Sequence, residues 1–195
     1  MTKGTVIDMT FYVPKLLEGL EVEVYESPGT KNTFIVDETS KRLIENEQKE
    51  FHSRTARLLY LAKRARPDIL TVTIFLCTRV QEATVEDQRK LMRVLGYLKG
   101  TRESTLLLRA AGAPTVTAYL DAAYAIHNDS KSHSGVIVYV GRTLAYVSSK
   151  KQKCISKSPT EAELIALTDN LGLVELFKEF VEFLIMKRIP VPDRV

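Results

Sequence analysis

From Ser158 onward the sequence repeats apolar residues at the period of one long helix, and no other stretch dictates so much of the architecture. Ser158 is a good N-cap, Pro159 suits the first helical position, and Glu161 stands where a capping box needs a carboxylate. Leu164, Leu167, Leu171, Val174, Phe177, Val181 and Leu184 then mark a predicted inward stripe. Glu163 breaks the pattern. At 100° per residue it shares its azimuth with Val181, eighteen positions on, and lies close to Val174, whereas Glu161 falls on the polar side. A carboxylate on an inward stripe needs a cation, a donor or a metal. The other reading is that Glu163 escapes to water in the first turn and favours the helix dipole.

The segments ahead of this helix set its partner. Thr105–Arg109, Thr115–Tyr124, Gly135–Val140 and Thr143–Ser149 are β-prone, with turns at Gly112–Pro114 and Gly141–Arg142. They predict three or four antiparallel strands feeding the helix, an α+β layout. The first half reads differently. Thr5–Val13 is a strand or extended segment, Ser27–Thr30 a turn, Thr33–Val36 a short strand, and Lys41–Glu50 a solvated stretch. Helices are predicted from Phe51 to Lys63, from Asp68 to about Arg79 with Asp68 as cap, and from Thr84 to Leu98. The last has Thr84 as its cap, Leu91, Val94, Leu95 and Leu98 as its stripe, and Gly100 at its close. The expected boundary between a helical module and a sheet module lies near residues 100–115, dividing the chain into 1–104 and 105–195.

Composition narrows the function only broadly. Of 195 residues, 45% are hydrophobic and 27% charged, the profile of a globular chain with a real core. No apolar run is long enough to span a membrane, so no membrane partner is expected. A net charge of +4 leans toward an anionic partner without identifying one. Cys77 and Cys154 lack CxxC or Cys/His spacing and read as buried free thiols.

Candidate chemistry rests on two carboxylates and a basic run. Asp121 is the one charge in its strand, on the face of Thr117, Tyr119 and Ala123. Alone it is an ordinary strand-end or exposed residue. Together with Glu163 it could hold a divalent cation, and oxygen ligands completed by water suit magnesium. Two such ions about 4 Å apart hydrolyse phosphodiesters. Arg142, Lys150, Lys151, Lys153 and Lys157 lie between the last hairpin and the helix; they form a solvated loop or track a nucleic-acid backbone. Ser132, Ser134, Ser148 and Ser149 could donate to phosphate or to a 2′-hydroxyl. His127 and His133 read as surface residues of a polar turn.

Several of these motifs occur in a fixed order. Tyr119-Leu120-Asp121-Ala122, Lys131-Ser132-His133-Ser134-Gly135, Ser148-Ser149-Lys150-Lys151-Gln152-Lys153 and Thr160-Glu161-Ala162-Glu163 together resemble the ribonuclease H domain of copia-type retrotransposon Pol polyproteins. Upstream, Phe51-His52, Leu58–Ala62, Arg66-Pro67-Asp68-Ile69 and Arg93–Thr101 resemble the stretch joining polymerase palm to nuclease in that family. The resemblance implies a helical reverse transcriptase thumb/connection module at 1–104. A truncated ribonuclease H-like mixed sheet with a long packed helix follows at 105–195. It implies cleavage of RNA in RNA–DNA hybrids by two magnesium ions, with Asp121 and Glu163 matching the first two of four acids. The third and fourth acids have no match; Asp193 comes too early and Asp169 lies within the helix. The expected partners are an RNA–DNA hybrid or other nucleic acid, with the remainder of a Pol polyprotein completing the assembly. The expected setting is cytoplasmic, within a virus-like particle, with the nucleus as the alternative. The functional expectations are an incomplete nuclease, a remnant that only binds nucleic acid, or a decayed reading frame.

Overall fold

The computed structural model describes residues 4–109 and 115–186. The elements run β1 (Gly4–Ile7), α1 (Tyr12–Leu17), α2 (Glu45–Arg64), α3 (Leu70–Arg79), α4 (Val85–Gly100), β2 (Leu106–Arg109), β3 (Val116–Ala123), β4 (His133–Val140), β5 (Thr143–Lys151) and α5 (Pro159–Met186). The α+β expectation is met, with helices first and the larger sheet last. The Gly112–Pro114 turn and Asp193 lie outside the described residues.

Helices α2, α3 and α4 form a bundle because each presents apolar residues at helical spacing to the same centre. Phe51, Leu58 and Leu61 of α2, Leu76 of α3, and Leu91, Val94, Leu95 and Leu98 of α4 are all fully buried, as is Leu16 of α1. Thr84 caps α4 as expected, accepting from the Asp87 N–H while the Asp87 carboxylate takes the Thr84 N–H. Helix α2 begins at Glu45, inside the stretch read as solvated, because the Glu47 carboxylate reaches back to the Ile44 N–H. Asp68 does not cap α3. It binds the buried Arg66 guanidinium (2.7 Å) and the Tyr97 hydroxyl (2.8 Å), while Arg66 also donates to Thr101, so one arginine ties the α2–α3 corner to the end of α4. Burial pushes the Asp68 carboxyl up, but its bonds to Arg66 and Tyr97 outweigh burial and leave it below the usual range.

Two small antiparallel sheets follow. In one, β2 pairs with β1 from the chain start, Leu106 opposite Ile7 and Arg109 opposite Gly4. In the other the order is β3-β4-β5, so β3 is an edge. Residues 33–36, expected as a strand, form turn and irregular chain instead. Phe34 from that segment inserts its ring between Phe75 of α3 and the imidazoles of His127 and His133, so the two modules share one packed boundary.

Helix α5 lies across β3 and β4. Its buried line is Ala162, Ala166, Asn170 and Val181, set against the fully buried Val136 and Val138. The predicted Leu164–Leu167–Leu171 stripe is exposed, as is Leu184. The helix is apolar almost all round, so periodicity marks the helix but does not select its face. Small Ala162 and Ala166 let the backbone sit close to the sheet, and that selects it.

Helix α4 depends on a similar close approach. A Cβ on Gly96 would collide with the Glu23 carbonyl oxygen and sit 2.7 Å from the Tyr25 ring. Helix propensity alone favours alanine there by about 1 kcal/mol. Gly96→Ala is nonetheless expected to destabilise by about 1–3 kcal/mol, because a backbone carbonyl cannot rotate aside. Urea unfolding measures this; a raised midpoint would show that the 20–25 segment is not seated on α4.

Candidate nucleic-acid interface

The pleat of β3 decides where its carboxylate points. Val116, Ala118, Leu120 and Ala122 are half-buried beneath α5, while Thr117, Tyr119, Asp121 and Ala123 are exposed on the other face. Asp121 pairs across to Gly135, and its Oδ1 accepts the Ala122 N–H at 3.0 Å. Glu163 is exposed in the first turns of α5, in a groove with Thr160, Leu164, Leu167, Ala118, Tyr119 and Leu120. Asp121 thus stands on the strand face turned from α5 and Glu163 on the helix, while Tyr119, from the Asp121 face, borders the Glu163 groove at the free strand edge. The azimuth shared by Glu163 and Val181 misleads because the contact line drifts. Successive buried residues four apart advance 40° each, so Ala162 makes the contact at the start of the helix and Val181 near its end.

Among the described residues no three His, Cys, Asp or Glu side chains converge to hold a metal ion. A magnesium pair needs several ligands aimed into one octahedral cage, and Asp121 and Glu163 by themselves supply only part of such a set.

The basic run divides into three groups. Lys150, Lys153 and Lys157 are exposed and form no ion pair among the described residues. Lys151 is paired with Asp129 at 2.8 Å. Arg142 stands at the β4–β5 turn, the far end of a nine-residue strand and roughly 25 Å from Lys150. Three of the four serines are committed elsewhere. Ser132 bonds Ser156 (2.7 Å) and Ser134 accepts from Gln152 (2.9 Å). Ser148 is half-buried on the helix side, and Ser149 is buried in the boundary with α3.

Gln152 was not singled out by the sequence, yet it fixes the lysine loop. Its Nε2 also donates to the Ala162 carbonyl (2.9 Å), and its backbone N–H donates to the Ser132 carbonyl. The available signal was one uncharged residue inside Lys-Lys-Gln-Lys. Ser158 caps the helix as predicted, accepting the Glu161 N–H, but the Glu161 carboxylate takes the N–H of Lys157, one residue before the one a capping box uses. Lysines 153 and 157 thus project from a clamped loop. Cys154, expected to be buried, is exposed on it.

His127 and His133 are not surface residues. They are 9% and 6% exposed, because Phe34 covers them. His127 Nε2 lies 3.1 Å from His133 Nδ1, and His133 Nε2 lies 2.7 Å from Ser149 Oγ. The Ser149 hydroxyl donates to Thr71 Oγ1 of α3 (3.2 Å), which sets the polarity of the chain: His127 donates to His133, and His133 to Ser149. The His133 imidazole is then neutral. A proton added at His133 Nδ1 would oppose the His127 N–H.

Curated proteins with related sequence were found. The chain is 34% identical over 119 residues to the uncharacterized mitochondrial protein AtMg00810 of Arabidopsis thaliana, covering 60% of this chain and 49% of that protein. It is 37% identical over 115 residues to the retrovirus-related Pol polyprotein from transposon RE1 of the same plant, covering 58% of this chain and 8% of the polyprotein. It is also 30% identical over 118 residues to secreted RxLR effector protein 161 of Plasmopara viticola, covering 60% of this chain and 83% of that one. The chain therefore spans about half of the first relative and under a tenth of the second. No family model and no solved structure matches.

The histidine chain makes stability acid-sensitive. Burial, then the neighbouring His127, lowers the His133 pKa from 6.5 to about 4; burial and Lys151 lower His127 as well, against the opposing charge of Asp129. Between these values the unfolded chain takes up a proton that the folded chain refuses, so stability present above pH 6.5 is lost as pH falls to about 4. The expected loss from His133 is about 2 kcal/mol, read from urea midpoints at pH 7 and pH 4.5. His133→Asn should flatten the profile; an unchanged slope would show that this imidazole is not held neutral.

Proposed function

This chain belongs to the family of copia-type retrotransposon Pol proteins, and from that premise we propose that it binds nucleic acid without cutting it. The observation carrying this reading is the clamped lysine loop. Lys150, Lys153 and Lys157 form no ion pair among the described residues, while Gln152 and Ser156 hold their backbone in place. Ordered ammonium groups meet phosphates with less loss of freedom than a mobile tail, and each contact releases a condensed counterion.

Cleavage of an RNA–DNA hybrid is the family's expected chemistry, and it asks more of the site. Both acids would have to face one volume where attacking and leaving oxygens sit between two metals. Among the described residues no third His, Cys, Asp or Glu joins Asp121 and Glu163 to complete such a site, which favours grip over hydrolysis.

A fluorescently labelled RNA–DNA hybrid titrated at several salt concentrations tests the proposal. Three phosphate contacts predict a slope of log K on log salt of about −2 to −3. Lys153→Ala should make the slope shallower by about 1 and weaken all sequences alike. With magnesium added, the hybrid should stay intact. Affinity indifferent to salt would overturn the binding reading, and magnesium-dependent cleavage abolished by Asp121→Asn would overturn the non-cutting one.

A further inference from the structure

The lysine loop accounts for phosphates, but a second feature of the sheet module addresses bases. On the face of β3 and β4 turned away from α5, Tyr119 and Tyr139 sit as cross-strand neighbours. Their ring centroids are 6.1 Å apart and nearly perpendicular. Tyr119 is 62% exposed, a high value for a large aromatic on a sheet. Together with Thr117, Ile137 and Arg142 the rings line an open hollow of about 460 Å³.

We propose that this hollow is a stacking site for the unpaired bases of single-stranded nucleic acid. The proposal rests on the binding reading above and deepens it by naming the strand form. In an edge-to-face pair each ring engages the other through only one edge or face, so an aromatic face stays available to a planar base. Stacking of this kind tolerates any base and needs the base splayed out of a duplex.

Charge on the same face points to the same occupant. The Arg142 guanidinium stands at the rim, and Thr143 donates to the Arg109 carbonyl (2.8 Å), placing the end of β2 beside that turn. Neither arginine forms an ion pair among the described residues. Asp121 lies two residues along from Tyr119 on the same face. Its carboxylate repels phosphate along the edge strand, while its Oδ2 can accept from a base amino group. A cation at the rim and an anion on the edge strand beside the rings suit a strand that keeps its backbone by Arg142 and turns its bases in. A duplex has no free base faces to offer.

The experiment compares a labelled single-stranded RNA 20-mer with its blunt RNA–DNA duplex, using wild type, Tyr119→Ala, Tyr119→Phe and Lys153→Ala. Tyr119→Ala is expected to weaken single-strand binding by about tenfold without altering the salt slope. Duplex binding should be unchanged, and Tyr119→Phe should keep wild-type affinity. Because Tyr119 is exposed, its loss leaves the fold intact, checked by an unchanged urea midpoint. If Lys153→Ala weakens the single strand and Tyr119→Ala does not, the stacking site is wrong and the binding reading stands. If neither strand form binds with salt dependence, both fall. Dimerisation abolished by Tyr119→Ala, with nucleic-acid binding intact, would assign the face to a second copy of the chain and overturn the proposal.

Discussion

The close seat of α5 on strands β3 and β4 governs the sheet module. Ala162 and Ala166 are fully buried against a sheet whose Val136 and Val138 are equally buried, and no larger side chain would let the helix axis come so near. Once that contact is made, the two-residue period of β3 leaves no freedom. Even-numbered residues lie under the helix and odd-numbered ones face outward. The positions of Asp121, Tyr119 and Glu163 all follow from which side of one strand the helix occupies.

The join between the modules adds polar and aromatic contacts to the apolar one that Val147 makes with the helical core. Phe34 wedges between Phe75 and two imidazoles, and Asn128 both donates to and accepts from the backbone of Val36. The relay from His127 to Thr71 crosses the same join. Each of these bonds forms only when both sides are correctly placed, so the seam specifies one docking geometry where an apolar contact would tolerate several.

What the sequence disclosed was what short-range chemistry determines. The Thr84 cap, the α4 stripe and the start of α5 are local statements, and they hold. The β3–β5 meander was legible because its strands are consecutive and its turns short. The pairing of β1 with β2 was not, since about a hundred residues separate the partners and neither strand carries a mark of the other. Glu163 was misplaced because a straight azimuth was assumed for a contact line that drifts. His127 and His133 were misread for a different reason: polar residues in a turn ordinarily face water, and only Phe34, far off in sequence, encloses them. Ser149 shows the same limit, its hydroxyl being reserved for Thr71 rather than for a ligand.

Strand β3 ends the sheet, and among the described residues nothing pairs with its outer side. Eight residues of backbone N–H and C=O alternate along that margin, a ready template for another chain. Its one ionised side chain is Asp121, near the middle. Two molecules aligning these margins in register would bring like charges together across a strand spacing of about 4.8 Å. A carboxylate set on an unpaired edge thus acts as a gatekeeper against self-association, whatever its part in chemistry.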